Sequence, residues 1–314
     1  MNRKEQVLLT GASGFIGGAL AQQLAHAGYK VNCLVRHGSA GNTKLKSIEG
    51  IDVVAVPSFD RKVLAEALDG MSATAVLNLA SYGVKQGERD PGMMIEGNIS
   101  LLSALVHVTS RWPLKVFVHT GSCSEYAPPA QHAPIREGDP LRPQSLYGAA
   151  KAASFILGSA LATDLGVPIV TLRLFGVYGV GEGPERLLPY LIESLRNDAK
   201  VDLTAGEQVR DLLYIDDVTA AFLTVLERTD LPPGAVYNVC SGKPVRIKDI
   251  AFSVARAMNK SEKLLLLGKR DYRKDEPMWL VGDNSLFTGA TGWSPGINLQ
   301  EGIERMMAAL GAES

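Results

Sequence analysis

The chain has 314 residues, and its 32 Lys and Arg nearly balance its 33 Asp and Glu, which gives no electrostatic basis for binding nucleic acid or an anionic membrane. Its hydrophobic fraction of 46% is enough for one large core or two smaller ones. There is no secretory signal pattern, no apolar run near the roughly 18 residues of a membrane span and no Cys or His at metal-ligand spacing, so we expect a cytoplasmic protein without zinc or disulfides.

Strand-like apolar runs alternate with helical patterns through the first half of the chain. The strand-like runs are QVLLTG, KVNCLVR, IDVVAVPS, TAVLNLAS, KVFVHTGS and PIVTLRLF. The helical patterns between them include FIGGALAQQLAHAG, RKVLAEALDG, ISLLSALVHVTSRW and AAKAASFILGSALATDLG. Continuous apolar strands are typical of a parallel sheet buried on both faces. The alternation therefore predicts an α/β fold with a doubly wound parallel sheet.

The pattern changes at about residue 176, where Gly- and Pro-rich loops interrupt shorter elements. The later runs RDLLYIDDV and AVYNVCSG resemble strands that return to the main sheet. We predict that residues 1–175 plus about 207–239 form a dinucleotide-binding domain. Residues from about 176–206 plus 240–314 would form a smaller α/β domain over the carboxyl ends of the strands, where open α/β sheets bind ligands.

Three glycines, Gly11, Gly14 and Gly17, separate the first strand from the first helix. Glycine permits a tight turn and close approach of a pyrophosphate, and the helix N-terminus offers free N–H groups to the phosphates. A glycine triplet alone is a weak signal in a chain with 32 Gly, but its place between strand and helix indicates a dinucleotide-binding loop. The alternative is a tight turn without a ligand.

Arg36 stands about twenty residues further on, where a dinucleotide-binding fold usually has the acid that holds a ribose. With His37 and Ser39 nearby, Arg36 would make charge-assisted hydrogen bonds to a 2′-phosphate. The position therefore favours NADP(H), with NAD(H) possible. The alternative is a solvated Arg at a strand end.

Tyr147 and Lys151 lie four residues apart on a predicted helix, which puts both side chains on one face. An ammonium and an oxidised nicotinamide ring would lower the pKa of a phenol from its ordinary value of about 10, so Tyr147 could act in acid–base catalysis. Ser122, at the end of a buried strand, could share a substrate oxygen with Tyr147. The alternative is that Ser122 caps a turn and Tyr147 packs in a core.

The motifs TGASGFIG, NLAS, TGSCSEY, YGAAK, RLFGVYG, RDLLYIDDV and YNVCSG occur in this order and resemble the extended short-chain dehydrogenase/reductase family of nucleotide-sugar epimerases, dehydratases and reductases. The resemblance implies a Rossmann domain, a C-terminal sugar-nucleotide domain and the catalytic residues Ser122, Tyr147 and Lys151. Tyr147 would exchange a proton with the sugar oxygen, Ser122 would hydrogen-bond that oxygen, and Lys151 would bind the nicotinamide ribose. A homodimer through helices at about 93–111 and 147–164 is also implied.

The resemblance further implies two sets of ligand-binding residues. The cofactor set comprises Gly11, Ser13, Gly14, Phe15, Ile16, Gly17, Arg36, His37, Asp60, Leu79, Ala80, Ser81, Tyr147, Lys151, Leu174 and Val177. The set for the nucleotide-diphosphate sugar comprises Tyr82, Ser122, Cys123, Tyr147, Arg210 and Arg273. Both Arg residues match diphosphate-binding positions, although the register of Arg273 could slip to Arg270. The alternative for Arg273 is a surface salt bridge, with Asp211 or Asp275 as the candidate partners. Asp60 stands three places after the family's position for an adenine-binding acid.

Departures from the family's motifs bear on the reaction. In the 4,6-dehydratases an acid–base pair or a lone Glu follows the catalytic hydroxyl, whereas Cys123 and Ser124 follow Ser122 here. Glu125 comes one place too late, where it would cap or hydrogen-bond the loop. Gly176 replaces the Asn of many epimerases and dehydratases. With these departures, the sequence most resembles the 4-ketoreductases of deoxysugar pathways.

The sequence therefore predicts NADPH-dependent reduction of a nucleotide-linked 4-keto-6-deoxyhexose at C4. A nucleotide-sugar 4-epimerase that retains its NAD(P) would use the same residues and remains an alternative. A non-catalytic NADP-binding scaffold or sensor on the same fold is the other alternative. The intact set of Ser122, Tyr147 and Lys151 disfavours that last one.

Overall fold

The computed structural model describes residues 5–39, 45–85, 87–129, 132–228, 230–273 and 276–312. The strands are β1 (Gln6–Thr10), β2 (Lys30–Arg36), β3 (Ile51–Val56), β4 (Ala75–Asn78), β5 (Val116–Ser122), β6 (Ile169–Leu174), β7 (Gly176–Tyr178), β8 (Val201–Asp202), β9 (Val209–Tyr214), β10 (Val236–Val239), β11 (Pro244–Arg246), β12 (Leu265–Leu266) and β13 (Trp279–Leu280). The α-helices are α1 (Phe15–His26), α2 (Arg61–Ala67), α3 (Pro91–Met94), α4 (Leu101–Thr109), α5 (Leu146–Asp164), α6 (Leu187–Arg196), α7 (Ile215–Glu227), α8 (Ile247–Ala257), α9 (Ser285–Thr291) and α10 (Leu299–Ala312). A π-helical turn, Ile95–Ser100, joins α3 to α4, and 3₁₀ turns occupy Cys123–Glu125 and Glu262–Leu264.

Seven parallel strands form the main sheet, in the order β10-β6-β5-β4-β1-β2-β3. The predicted doubly wound parallel sheet is confirmed. The order reverses between β1 and β4, and the carboxyl ends of strands at such a reversal border the crevice where open α/β sheets bind ligands. The glycine loop after β1 and the segments after β4 and β5 meet at this edge.

Helices cover both faces of the main sheet, as alternation along β1 requires. Val7 and Leu9 belong to the apolar cluster that includes α1 and α7, whereas Leu8 belongs to the opposite cluster, which includes α2, α4 and α5. Successive strand side chains point to opposite faces, so a continuous apolar strand serves two cores at once. Each fully buried Leu side chain contributes about 1.5–3 kcal/mol of hydrophobic stabilisation.

A second sheet has β9 at its centre, with β7 and β13 parallel to it and β11 antiparallel. The prediction that RDLLYIDDV returns to the main sheet is wrong for its strand, because β9 pairs along β7 at Gly176–Leu212 rather than with β6. The run AVYNVCSG does return, since β10 pairs with β6. Apolar periodicity identifies a strand but carries no information about which sheet it joins.

The C-terminal part has its own core. Helices α6, α8 and α10 bury Leu191, Val254 and Ile303 in one cluster that also reaches β7 and β9. Asp211 ties this part together, because its carboxylate accepts hydrogen bonds from the backbone N–H groups of Ser241, Gly242 and Gly282 at 2.7–3.2 Å. Within the residues described, no helix has the length and apolarity needed to cross a membrane.

Candidate active site

The glycine loop forms a tight turn between β1 and α1. Gly11 has a φ of +76°, and a Cβ there would lie 2.7 Å from backbone atoms of Leu79 and Ala80. The N–H of Gly14 bonds to the carbonyl of Gly11 at 2.9 Å, and α1 begins at the next residue. The loop therefore lies directly against the segment after β4, which the sequence also assigned to cofactor binding.

Residues that follow the loop pack toward the second sheet. Phe15 and Ile16, at the start of α1, and Val177, in β7, are half-buried members of the C-terminal apolar cluster. Leu174 is buried and pairs in register with Ser122 across β6 and β5. Phe15, Ile16 and Val177 thus pack against one cluster, and Leu174 lies three residues before Val177 at the end of β6.

The ends of β2 and β3 carry the residues predicted to select the cofactor. The guanidinium of the exposed Arg36 lies 5.8 Å from the centre of the Phe59 ring. His37 donates from Nε2 to the carbonyl of Ala55 at 3.2 Å. The Asp60 carboxylate accepts from the N–H of Lys62 at 2.8 Å and so caps α2. Arg36 is therefore an exposed cation at this edge, with its guanidinium over the Phe59 ring.

Asn98 organises the segment after β4, and the sequence analysis missed it. It is buried in the π-helical turn, where its Nδ2 donates to the carbonyls of Tyr82 and Met94 at 3.0 and 2.9 Å. Its Oδ1 accepts from the hydroxyl of Ser81 at 2.6 Å. π-helical turns are rare in proteins, and those that do occur are often found at functional sites. The available signal was an Asn inside the helix expected at about 93–111.

Ser122 ends β5 and begins the 3₁₀ turn. Its hydroxyl accepts from the N–H of Ser124 at 3.2 Å, while its own N–H donates to Oε1 of Glu125 at 2.7 Å. Glu125 therefore hydrogen-bonds the loop, as the sequence analysis expected. Its second carboxylate oxygen lies 2.8 Å from Nε of Arg173, and both side chains are buried.

Helix α5 sits directly on the Ser122 turn. Ser145 caps it by accepting from the N–H of Gly148 at 3.0 Å. A Cβ at Gly148 would lie 2.1 Å from the carbonyl oxygen of Ser124, so only glycine permits this approach. The close packing brings Tyr147 next to Ser122, and Lys151 follows one helical turn later.

Burial dominates the electrostatics of the Tyr147 and Lys151 pair. It raises the pKa of the Tyr147 phenol to about 12, although hydrogen bonds with the Ser122 and Ser81 hydroxyls act to lower it. It lowers the pKa of the Lys151 ammonium to about 8, against the opposing charge of Glu125. Near pH 7 the phenol therefore keeps its proton and the ammonium keeps its charge. This is a proton donor beside a cation.

The residues predicted to hold the sugar nucleotide are only partly brought together. Burial raises the pKa of the Cys123 thiol to about 12, and the Arg210 charge opposes that shift. Arg210 donates from Nη1 to the carbonyls of Val209 and Pro277 at 3.0 and 2.7 Å and from Nη2 to Glu276. Sequence reasoning missed Glu276, which lies 66 residues from Arg210.

The second predicted diphosphate residue is less constrained. Arg273 is exposed, and Arg270 lies 5.9 Å from the centre of the Tyr190 ring. Asp211 is occupied by its backbone hydrogen bonds, and Asp275 lies outside the described residues.

Residues 7–240 match the sequence model of the NAD dependent epimerase/dehydratase family. The chain belongs to this family. The resemblance to extended short-chain dehydrogenases/reductases is thereby confirmed. Over 315 residues the chain is 30% identical to CDP-abequose synthase of Salmonella typhimurium, covering 98% of this chain and 99% of that protein.

Other members of the family act on different sugar nucleotides. A dTDP-glucose 4,6-dehydratase of Xanthomonas campestris pv. campestris is 31% identical over 247 residues, covering 74% of this chain and 70% of that protein. UDP-glucuronic acid 4-epimerase from Bacillus cereus, solved with UDP-glucuronic acid and NAD, is 25% identical with a TM-score of 0.86, covering 98% of this chain and all of that one. Family membership makes this chain a nucleotide-sugar enzyme but does not decide its reaction.

Proposed function

We propose that this protein is an NADPH-dependent reductase of a nucleotide-linked 4-keto-6-deoxyhexose and acts at C4 of the sugar. The observation that carries the proposal is the turn after Ser122. Dehydration needs an acid to expel a hydroxyl and a base to remove a proton. Cys123 and Ser124 occupy those places, and Glu125 is tied to Arg173 and to a backbone N–H. Similarity to CDP-abequose synthase over the full length agrees with a reductase.

The catalytic residues can carry out the reduction of a carbonyl. NADPH, when bound, supplies a hydride to C4, and the carbonyl oxygen takes up the electron pair. Tyr147 then donates its phenolic proton to that oxygen, while the Ser122 hydroxyl hydrogen-bonds it. Lys151 binds the ribose next to the nicotinamide, and its charge stabilises the tyrosinate that remains. No acceptor among the described residues engages the Lys151 ammonium, which leaves its donors for the ribose hydroxyls.

The preference for NADPH rests on Arg36. No acidic side chain stands at the end of β2 to accept the ribose hydroxyls of NAD, and Asp60 is engaged in capping α2. Arg36 can reach a 2′-phosphate from its place over Phe59, with His37 adjacent. NAD(H) binding at lower affinity is compatible with the same site.

Arg210 would bind the diphosphate of the sugar nucleotide. Three of its five N–H donors go to Val209, Pro277 and Glu276, so two are left for phosphate oxygens. Arg273 would add a second cation, and Tyr82 and Cys123 would line the sugar pocket.

A homodimer is proposed from apolar surface on two helical segments. Ile95 is 54% exposed on the π-helical turn, and Leu146, Ile156 and Leu157 are 52%, 60% and 48% exposed on α5. Several large apolar side chains on adjacent helices indicate a surface that another protein covers. A second copy of this chain would bury both segments together.

The test is NADPH absorbance with purified protein and a panel of dTDP-, CDP- and GDP-linked 4-keto-6-deoxyhexoses, with NADH as the cofactor control. We expect stoichiometric loss of NADPH with one nucleotide series and a fall of at least about 10²-fold in kcat for Tyr147→Phe, because the phenol is the proton donor. Interconversion of C4 epimers without NADPH consumption would instead establish the epimerase, which the likeness to UDP-glucuronic acid 4-epimerase favours. Cofactor binding without any turnover would point to a scaffold or sensor.

A further inference from the structure

Glu125 is a fully buried carboxylate in direct contact with the Ser122 turn. Its Oε1 accepts from the backbone N–H of Ser122 at 2.7 Å. Its Oε2 lies 2.8 Å from Nε of Arg173, and the two side chains are 0% and 2% exposed. A buried charge is tolerated only when partners compensate it. The two contacts therefore hold the carboxylate in a single orientation.

Arg173 is itself fixed by its surroundings on β6. Its Nη1 donates to the hydroxyl of Tyr126 at 2.9 Å, and that hydroxyl donates to Oδ1 of Asn238 on β10 at 2.7 Å. The guanidinium also lies 4.7 and 4.5 Å from the ring centres of Tyr126 and Phe155. The chain of contacts therefore runs from the rigid strands of the main sheet to the carboxylate of Glu125.

We propose that Glu125 is a positioning residue: held by Arg173, it fixes the backbone of Ser122 so that the Ser122 hydroxyl meets the oxygen at C4 of the sugar. The inference rests on the proposed role of Ser122. Without the carboxylate, the Ser122 N–H would be a buried donor with no partner, and the turn would shift to satisfy it. Small displacements of this kind cost about 10²-fold in rate because the catalytic geometry is lost.

This role differs from acid–base catalysis by Glu125. Both carboxylate oxygens are already occupied by donors, one from the backbone of Ser122 and one from Arg173. The Glu125 side chain is also fully buried beneath the turn, so its carboxylate is not presented to a bound substrate. Its contribution therefore passes through Ser122.

The first variant is Glu125→Gln. An amide has one acceptor oxygen and one NH₂ donor, so in either orientation the NH₂ faces the N–H of Ser122 or the Nε–H of Arg173. We expect kcat to fall about 10²-fold while KM for the sugar nucleotide stays within about 3-fold, because the lost contact acts in the transition state.

A double variant, Glu125→Gln with Arg173→Gln, tests the geometry. The amide oxygen introduced at position 173 is bonded to the same side-chain carbon as Nε of Arg173, so it can accept from the NH₂ introduced at position 125. The other amide oxygen can then accept from Ser122 again. We expect the pair to regain at least about tenfold of the lost kcat, since one hydrogen-bond clash is worth roughly that factor.

Two further variants give the smallest and the largest losses of kcat with which Glu125→Gln is compared. Tyr126→Phe removes one of the contacts that fix Arg173 but leaves both contacts of Glu125, so its kcat should fall less than that of Glu125→Gln. Ser122→Ala sets the size of the full loss. All variants are compared in whichever nucleotide-sugar reaction the wild-type enzyme performs, and folding is checked by circular dichroism and cofactor affinity.

Three outcomes would overturn the proposal. A folded Glu125→Gln enzyme with wild-type kcat, beside an impaired Ser122→Ala enzyme, would show that Glu125 does not position Ser122. A folded double variant no faster than the single one would show the same. Wild-type activity in Ser122→Ala would remove the proposed role of Ser122 itself, a failure that the first two outcomes do not share.

Discussion

Lys151 brings a positive charge into a buried site, and its burial limits the pH range in which that charge persists. The pKa of the ammonium is lowered from 10.5 to about 8. The ammonium is charged below its pKa and loses its charge as the pH rises through that value. Because the pKa is lowered, this loss begins nearer to neutral pH than for an exposed lysine. The cation that would hold the ribose and stabilise the tyrosinate is therefore depleted in mildly alkaline solution.

We expect kcat/KM for NADPH to decline as the pH rises through about 8, since this parameter reports ionisations of the free enzyme. Lys151→Arg should keep its charge across the tested pH range and move the alkaline limit upward, at a lower maximal rate because the guanidinium is larger. The measurement is the pH profile of both enzymes between pH 6 and 10. Identical alkaline limits would mean that another group controls the decline.

Arg36 is expected to decide the cofactor by charge. Arg36→Asp replaces a group that attracts a 2′-phosphate with one that repels it and can accept the ribose hydroxyls. We expect kcat/KM for NADPH to fall about 10- to 100-fold, the value of a charged hydrogen bond, with NADH favoured instead. Lys200→Asp makes the same charge change at an exposed cation between α6 and β8. This control should leave the ratio of kcat/KM for NADPH to kcat/KM for NADH unchanged. An unaltered ratio in Arg36→Asp would contradict the assignment.

At the scale of elements, the π-helical turn and α5 determine both the site and the proposed interface. In the π-helical turn, Asn98 is buried and accepts the hydrogen bond from Ser81, whereas Ile95 is exposed to solvent. Helix α5 likewise buries Lys151 against the sheet and presents Ile156 and Leu157 to solvent. These two helical segments therefore bury the polar residues Asn98 and Lys151 on one face and expose apolar side chains on the other.

Ile156→Lys should dissociate the proposed homodimer. In a twofold interface each substitution enters twice, so two charges would be buried where two apolar side chains met. Leu286→Lys on α9 is the matched control, because its 52% exposure is close to the 60% of Ile156 and it lies outside the two segments. Light scattering after size exclusion should give half the mass for Ile156→Lys alone. A monomeric wild type, or equal masses for all three proteins, would contradict the proposal.

For the molecule as a whole, the sequence predicted what depends on neighbours along the chain. The parallel sheet, the glycine turn and the one-face spacing of Tyr147 and Lys151 all follow from local periodicity. The contacts of Glu125 with Arg173 and of Arg210 with Glu276 could not be predicted, because they join residues 48 and 66 positions apart. Periodicity also did not assign β9 to its sheet, so the two-domain division stays a prediction.

Strand β10 completes the main sheet from far along the chain. Its partner β6 ends at Leu174, yet β10 begins only at Val236, after the second sheet and α7 have intervened. During synthesis the outer edge of β6 therefore has no strand partner until residue 239 has been made. Asn238, the acceptor for Tyr126, arrives in that same step. The buried contacts behind Ser122 can thus be completed only after about three quarters of the chain has been made, and any pause before that point exposes an open sheet edge.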